Sequence, residues 1–171
     1  MRFIKEAQIT GQLEHPGIVP VHFLGRDGEG NEFFSMKLAG GEPFDKILER
    51  WHTGDEATVR LYPLTRLLSI FERVCETTEF AHSRGVMHRD LKPGNVMIGT
   101  HGEVWVLDWG LAKVIGSSET PSPAAAGEGR SSRIHSDVAH DVTLDGLVVG
   151  TPEYMAPEQA AGEELDEGVD I

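Results

Sequence analysis

The octapeptide HRDLKPGN, residues 88–95, brings an aspartate, a lysine and an asparagine together in one short stretch. A second aspartate, Asp108, stands at the end of the apolar run VWVL. Carboxylate and amide oxygens are ligands that suit Mg²⁺, and a free carboxylate can accept the proton of a hydroxyl group. Lys92 lies near enough to Asp90 to neutralise charge on a transferring phosphoryl group. Because phosphoryl transfer needs mainly positioning and charge neutralisation, these residues indicate a magnesium–phosphate site.

The elements before this stretch are predicted to be one helix and two strands. RFIKEAQITGQLEH repeats apolar residues at helical spacing and is ended by a His-Pro-Gly sequence. IVPVHFLG and NEFFSMKL are β-rich, and the segment GRDGEGN between them predicts a hairpin turn. The same glycines could belong to a phosphate-binding loop. Such a loop is followed by a lysine, however, and none occurs here before Lys37, so the hairpin is favoured.

Two further helices are predicted ahead of the octapeptide. FDKILERW is typical of a short amphipathic helix, and a longer helix is expected from about residue 66 to residue 84. Thr65 is its predicted N-cap and Gly85 its predicted C-terminal stop. Six residues mark its expected buried face: Leu67, Phe71, Val74, Cys75, Thr78 and Ala81. Cys75 is therefore expected to be a small core residue and not a reactive thiol.

The later part of the chain changes character. From Gly116 to about Gly146 it is rich in Ser, Gly, Ala and Pro without a hydrophobic period, which predicts a mobile loop. The segment VVGTPEYMAPEQAAG then restores an ordered pattern.

Taken singly, each residue of the proposed site could be an ordinary loop residue. The order HRDLKPGN, then DWG, then APE is more specific, and it resembles the protein kinase family. The resemblance implies an α+β, two-lobed kinase-like fold that is truncated at both ends. It divides the chain into residues 1–36 (remainder of the small lobe), 37–41 (hinge) and 42–171 (large lobe, with the activation segment at 108–158).

The resemblance also implies roles for the site residues. Asp90 would orient the substrate hydroxyl and accept its proton, and Lys92 would steady the γ-phosphate of ATP. Asn95 and Asp108 would hold Mg²⁺. Thr151 would hydrogen-bond Asp90 and Lys92, a feature of kinases that modify serine and threonine.

The nucleotide side of the site follows from the same resemblance. Glu6 stands in the place of the glutamate that pairs with a lysine of the small-lobe sheet. The segment FFSMKLAGG resembles the last small-lobe strand and the hinge. Met36 would be the gatekeeper, and Lys37, Leu38 and Ala39 would contact adenine. Met97, from a later part of the chain, would cover the adenine from below.

Regulation is implied by Arg89, which precedes Asp90. In similar kinases this arginine binds a phosphate on the activation loop. Thr143 resembles the autophosphorylation site of bacterial relatives, although a solvated loop threonine is the alternative. Trp109 replaces the usual phenylalanine, and DWGLAK and HPGIVPV resemble the bacterial branch of the family. Asp170 resembles the aspartate that braces the catalytic loop.

Two hypotheses on function stay open at this point. The first is a serine/threonine protein kinase that uses ATP and Mg²⁺, acts on Ser/Thr of protein substrates and self-associates for autophosphorylation. The second is a non-catalytic kinase-like scaffold or inactive fragment, because no glycine-rich loop or small-lobe lysine precedes Glu6. On this ground the isolated chain of 171 residues is expected to have little or no activity.

Charge and hydropathy exclude other classes. The formal net charge is −13, and residues 116–171 carry 2 basic and 12 acidic side chains. A nucleic-acid or anionic lipid partner requires a positive field, so neither is expected. No apolar run reaches the roughly 20 residues of a membrane span. The single cysteine fits a reducing compartment, and a cytoplasmic location is expected.

Overall fold

A computed structural model of the chain describes residues 2–114 and 150–171, and it confirms an α+β fold. The predicted loop from Gly116 to about Gly146 lies outside these residues. The helices are α1 (Arg2–Gln12), α2 (Phe44–His52), α3 (Glu56–Leu61), α4 (Leu64–Ser83) and α5 (Pro157–Ala161). The strands are β1 (Val21–Arg26), β2 (Glu32–Met36), β3 (Glu42–Pro43), β4 (Val86–Met87), β5 (Val96–Ile98), β6 (Val104–Val106) and β7 (Lys113–Val114). The described residues also contain 3-10 turns at Pro93–Asn95, Trp109–Leu111, Pro152–Tyr154 and Glu167–Asp170.

The predicted hairpin is confirmed. Strands β1 and β2 pair antiparallel, with Arg26 opposite Glu32 at the turn. The Asp27 carboxylate accepts hydrogen bonds from the backbone N–H groups of Glu29 and Asn31, at 2.9 and 2.8 Å. Such side-chain bonds to the backbone are what make aspartate a turn residue, in agreement with the hairpin interpretation.

The long helix α4 starts and packs differently from the prediction. Thr65 is not its N-cap: the helix begins at Leu64, and the Pro63 carbonyl accepts hydrogen bonds from the backbone N–H groups of Arg66 and Leu67. Gly85 has φ +77°, which confirms it as the residue that ends the helix.

The predicted buried face of α4 was wrong for Phe71 and Cys75. Phe71 is 63% exposed, and Cys75 is exposed as well. Both line an open groove of about 620 Å³, together with Val169 and Ile171. The helical spacing of the apolar residues identifies an apolar stripe, but it does not show how much of that stripe packs against the rest of the protein. The helix buries only the narrower row of Leu67, Ile70, Thr77, Thr78 and Ala81.

The core consists of two clusters, and one of them connects α1 to the motif at residues 108–110. Ile9 of α1 and Leu13, just after the helix, pack in the same cluster as Trp109, which is 2% exposed. The second cluster joins α2 and α4 to strands β5 and β6. The first cluster therefore fixes the helix that carries Glu6 against the segment that carries Asp108.

Candidate active site

The octapeptide forms a loop between β4 and β5 that is held from several sides. Arg89 has φ +68°, and Asp108 is the other non-glycine residue with a positive φ in the described parts of the chain. Left-handed backbone is unfavourable for both residue types, so surrounding contacts must maintain it. One such contact joins the loop to the strand end beside it, because the backbone N–H of Leu107 donates to the Asn95 carbonyl at 2.8 Å.

Asp90 lies at the centre of a hydrogen-bond network. Its Oδ1 accepts from the backbone N–H and the hydroxyl of Thr151, at 2.9 and 2.7 Å. Its Oδ2 accepts from Lys92 Nζ at 2.8 Å and from Asn95 Nδ2 at 3.1 Å. Burial acts to raise the pKa of Asp90, but the bonds from Lys92, Thr151 and Asn95 outweigh burial and hold the pKa below its ordinary value. The carboxylate is therefore ionised at neutral pH.

Lys92 connects Asp90 to Thr151, which lies at the start of the second described stretch of the chain. Its Nζ atom lies 2.5 Å from the hydroxyl of Thr151 as well as 2.8 Å from Asp90 Oδ2. The Lys92 side chain is 26% exposed, so the ammonium group retains access to solvent. A positive group that is both fixed and accessible can neutralise an incoming phosphoryl group.

Asn95 and Asp108 have the donor atoms that a magnesium ion requires. The Asn95 amide nitrogen donates to the Asp90 carbonyl at 2.9 Å and to its carboxylate, which leaves the amide oxygen as the atom that can bind a metal. Asp108 is exposed, and its carboxylate accepts a hydrogen bond of 3.4 Å from the N–H of Gly110. Mg²⁺ commonly takes one or two protein oxygens and completes its shell with water and phosphate, so the pair fits it. Among residues 2–114 and 150–171, no group of three His, Cys, Asp or Glu side chains could hold a metal ion.

Glu6 is brought to the same end of the site. A Cβ atom placed on Gly110 would lie 3.1 Å from Glu6 Oε2 and 3.1 Å from Asp108 Oδ1. Both carboxylates therefore border the same small space beside Gly110. The packing of α1 on the 3-10 turn after Asp108 produces this juxtaposition.

His88 is buried and neutral. Its Nδ1 accepts the backbone N–H of Asp90 at 3.2 Å, and its Nε2 lies 3.0 Å from the Leu107 carbonyl. The Nε2–H tautomer satisfies both partners without a charge. Burial lowers the pKa of His88 below its ordinary value, which agrees with a neutral ring.

Asp170 fixes the backbone from which Asp90 projects. Its carboxylate accepts the backbone N–H groups of His88 and Arg89, each at 2.7 Å, and lies 2.9 Å from His82 Nε2. Its side chain is fully buried. Burial acts to raise the pKa of Asp170, but the hydrogen bonds from His82 and the two amides outweigh burial and lower it. His82 was not among the residues predicted for the site.

Gln159 is a second site residue that the sequence did not reveal. Its Nε2 donates to the Arg89 carbonyl at 2.7 Å, and its side chain is buried. A Cβ atom on Gly150, which has φ +136°, would lie 2.8 Å from Gln159 Nε2 and 3.2 Å from the Arg89 carbonyl oxygen. Glycine is therefore required where the chain passes this loop.

The residues predicted to contact adenine lie along a connected stretch. Met36 ends β2 and is 42% exposed, and Leu38 is 89% exposed. Lys37 places its Nζ 5.4 Å from the centre of the Trp105 ring, and Ala39 is half-buried. Met97 is half-buried in β5, where it pairs with Pro43 on one side and Trp105 on the other. Thr143 lies outside the described residues.

Three features together indicate the class of the protein: the α+β fold, the loop centred on Asp90, and the pair Asn95 and Asp108, whose side-chain oxygens suit Mg²⁺. A family model described as "Protein kinase domain" matches residues 1–171, and the chain belongs to this family.

Similar bacterial proteins narrow the class. The chain is 38% identical over 174 residues to serine/threonine-protein kinase PknD of Chlamydia muridarum. It is 37% identical over 175 residues to the PknD of Protochlamydia amoebophila. Each match covers 99% of this chain but only 18% and 17% of the respective relative. The predicted resemblance to bacterial-type serine/threonine kinases is confirmed, and the chain spans less than a fifth of the length of these relatives. None of the described helices has the length and apolar character to cross a membrane.

Proposed function

We propose that this protein is an ATP-dependent serine/threonine protein kinase that transfers the γ-phosphate of ATP to Ser/Thr hydroxyls of proteins. The observation that carries the proposal is the network around Asp90. A single carboxylate is kept ionised and fixed by Thr151, Lys92 and Asn95, as a group that orients a hydroxyl must be. Membership of the protein kinase family and the similarity to bacterial serine/threonine-protein kinases support it.

Each site residue has a task in this proposal. Asp90 aligns the substrate hydroxyl and accepts its proton as the new bond to phosphorus forms. Lys92 lies beside Asp90 and neutralises charge on the transferring group. Asn95 and Asp108 would hold Mg²⁺, which when bound neutralises phosphate charge and orients the phosphates. Glu6 borders Asp108 and contributes to the electrostatics of that end of the site.

The nucleotide would lie between the small sheet and strand β5. The backbone of Lys37–Ala39 offers hydrogen-bonding groups to adenine, with Met36 at the rear of the cleft and Met97 below the ring. The exposure of Met36 and Leu38 is compatible with an open cleft. This assignment rests on the family resemblance and on the order of these elements along the chain.

A non-catalytic scaffold is the competing function. A module released from catalysis has no physical need for Asp90, Lys92, Asn95 and Asp108 together, and all four are present. Their presence favours the kinase.

Mg²⁺-dependent nucleotide binding separates the two functions. We expect Asp108→Asn in the full-length gene product to weaken ATP binding about 10-fold or more in the presence of Mg²⁺, because a charged ligand of the ion is lost. Binding without Mg²⁺ should change little. Titration with a fluorescent ATP analogue, with and without Mg²⁺, measures both. Asp27→Asn, an exposed turn aspartate in the β1–β2 hairpin, is the matched control. Equal Mg²⁺-dependent affinity in Asp108→Asn and wild type would support the scaffold.

We also propose that phosphorylation of the activation loop regulates the kinase. Arg89 immediately precedes Asp90, so a phosphate bound by its guanidinium would act directly on the catalytic loop. We propose Thr143 as the phosphorylated residue, with a second molecule of the protein as the enzyme. We further propose a cytoplasmic catalytic site.

Thr143→Ala should lower activity about 10-fold after preincubation with Mg·ATP, because a phosphate–arginine contact that orders the loop would be lost. Initial rates on a Ser/Thr peptide, with phosphosite mapping by mass spectrometry, test this. Thr120→Ala in the same loop is the control. Full activation of Thr143→Ala would exclude this residue as the switch.

A further inference from the structure

Trp109 follows the Mg²⁺-compatible aspartate and is more than an apolar filler. It is 2% exposed and packs with Ile9 of α1 and with Leu13, just after that helix. It also meets the His88 ring edge-on, with 4.7 Å between the centroids and 60° between the planes. A phenylalanine could occupy such a pocket, because these contacts are those of an apolar ring.

The indole N–H makes a contact that phenylalanine cannot make. Trp109 Nε1 donates to the Val106 carbonyl at 3.2 Å, in a buried environment. This bond runs from the residue after Asp108 back to the last residue of β6. It therefore closes a small ring of chain around Leu107 and Asp108.

The closed segment is one that needs support. Asp108 has φ +60°, an unfavourable conformation for aspartate. The backbone groups of Leu107, the residue before Asp108, already have partners. Its N–H donates to the Asn95 carbonyl, and its carbonyl lies 3.0 Å from His88 Nε2. The indole bond is the side-chain contact that connects the two ends of this turn.

We propose that Trp109 is a positioning residue whose indole N–H, bonded to the Val106 carbonyl, holds Asp108 in the backbone conformation that presents its carboxylate to Mg²⁺. The apolar ring stabilises the core by being buried, whereas the N–H maintains the backbone conformation of Asp108. The part of this inference that concerns Mg²⁺ rests on the proposed function, whereas the part that concerns the backbone does not.

Two substitutions remove the N–H in the full-length gene product. Trp109→Phe keeps an aromatic ring, and replacement of Trp109 by 3-benzothienylalanine keeps the whole shape of the indole with sulfur in place of N–H. The second variant preserves packing if the first does not fold. Trp51→Phe is the matched control. Trp51 lies in α2, and its Nε1 also donates to a backbone carbonyl, that of Tyr62, at 3.1 Å.

The first readout is amide hydrogen exchange without nucleotide or Mg²⁺. Loss of one hydrogen bond is expected to speed exchange in the peptide containing residues 106–110 roughly 2- to 10-fold in both Trp109 variants. Trp51→Phe should leave this peptide unchanged. Unchanged exchange in both Trp109 variants, or the same acceleration in Trp51→Phe, would overturn the proposal.

The second readout is the Mg²⁺ concentration for half-maximal peptide phosphorylation. It should rise roughly 2- to 10-fold in both Trp109 variants while the KM for the peptide stays constant. An unaltered Mg²⁺ requirement, or a KM for the peptide that rises in parallel, would contradict a role directed at Asp108. A wild-type protein that neither binds Mg·ATP nor phosphorylates the peptide would refute the proposed function instead, and hydrogen exchange would still decide the positioning role.

Discussion

Asp90→Asn in the full-length gene product should lower the rate of phosphoryl transfer by about 10²- to 10⁴-fold, the range associated with loss of a general base. Asparagine has nearly the same shape as aspartate but cannot accept a proton. Its amide nitrogen would also face a donor on either side, Thr151 N–H or Lys92 Nζ. The variant therefore removes the charge and misplaces the hydroxyl-orienting group at once.

Binding of Mg·ATP should survive the same substitution. Asp90 contacts Asn95 through the Asn95 amide nitrogen, so the oxygen available to a metal is not directly engaged. An affinity within about 3-fold of wild type is expected, since Asp90 contributes no oxygen to the proposed Mg²⁺ site and its substitution changes only its own hydrogen bonds. Single-turnover phosphorylation and nucleotide titration on the same preparation separate the two quantities.

Two controls define the result. Asp27→Asn makes the same chemical change in an exposed hairpin turn and should leave the rate unchanged. The double variant Asp90→Asn/Asn95→Asp places a carboxylate nearby in the absence of Asp90, and it should recover none of the lost rate if the position of the base matters. If Asp90→Asn retains more than about a tenth of the wild-type rate, Asp90 does not act as the base, because that loss is far below the range for such a group.

The spatial grouping of Asp90, Lys92 and Asn95 could be predicted because these residues are close along the chain. Asp90, Lys92 and Asn95 fall within one loop, and their types alone indicate the chemistry. The contact of Thr151 with Asp90 was predicted from the order of the kinase motifs, and the structure contains that hydrogen bond. The placement of Glu6 next to Asp108 follows from the helical stripe of α1, which packs on Trp109.

The residues that hold the catalytic loop from distant parts of the chain, His82 and Gln159, could not be predicted in the same way. His82 meets Asp170 across 88 residues, and Gln159 meets the Arg89 carbonyl across 70. Both contacts use polar side chains whose types are common on helix surfaces, so no local pattern distinguishes them. Phe71 shows the opposite error, since its apolar side chain satisfies the helical period but lies beyond the packed face of α4.

Asp170→Ala should cause the second large effect, on stability and activity together. The backbone N–H groups of His88 and Arg89 would lose their acceptor inside the protein. Each unsatisfied buried donor costs about 1–3 kcal/mol, so the loss of the acceptor for two donors is expected to lower the free energy of unfolding by about 2–6 kcal/mol. Activity should fall at least about 10-fold, because Arg89 is held at positive φ next to Asp90 and would relax.

Asp170→Asn tests whether the charge or only the acceptor matters. It keeps one oxygen for one amide and turns a donor toward the other, so its stability should lie between those of wild type and Asp170→Ala. Asp166→Ala is the matched control at the residue that caps the same 3-10 turn, where an exposed carboxylate accepts the local N–H of Gly168 at 2.8 Å. Urea unfolding and peptide phosphorylation of the four proteins at pH 7 give the comparison. Equal stability of Asp170→Ala and Asp166→Ala would show that the two amides find other partners.

The pH dependence provides a check with a definite sign. Because the pKa of Asp170 is lowered in the folded protein, its contribution to stability is complete above the ordinary carboxyl pKa of about 3.9. The contribution is lost as the pH falls through the lower folded-state value. The difference in unfolding free energy between wild type and Asp170→Asn should therefore stay constant from about pH 7 to pH 5 and shrink below about pH 4. A difference that instead grows on acidification would mean that the Asp170 carboxyl is stabilised in its protonated form, and the brace would then be a neutral hydrogen bond and not a buried charge.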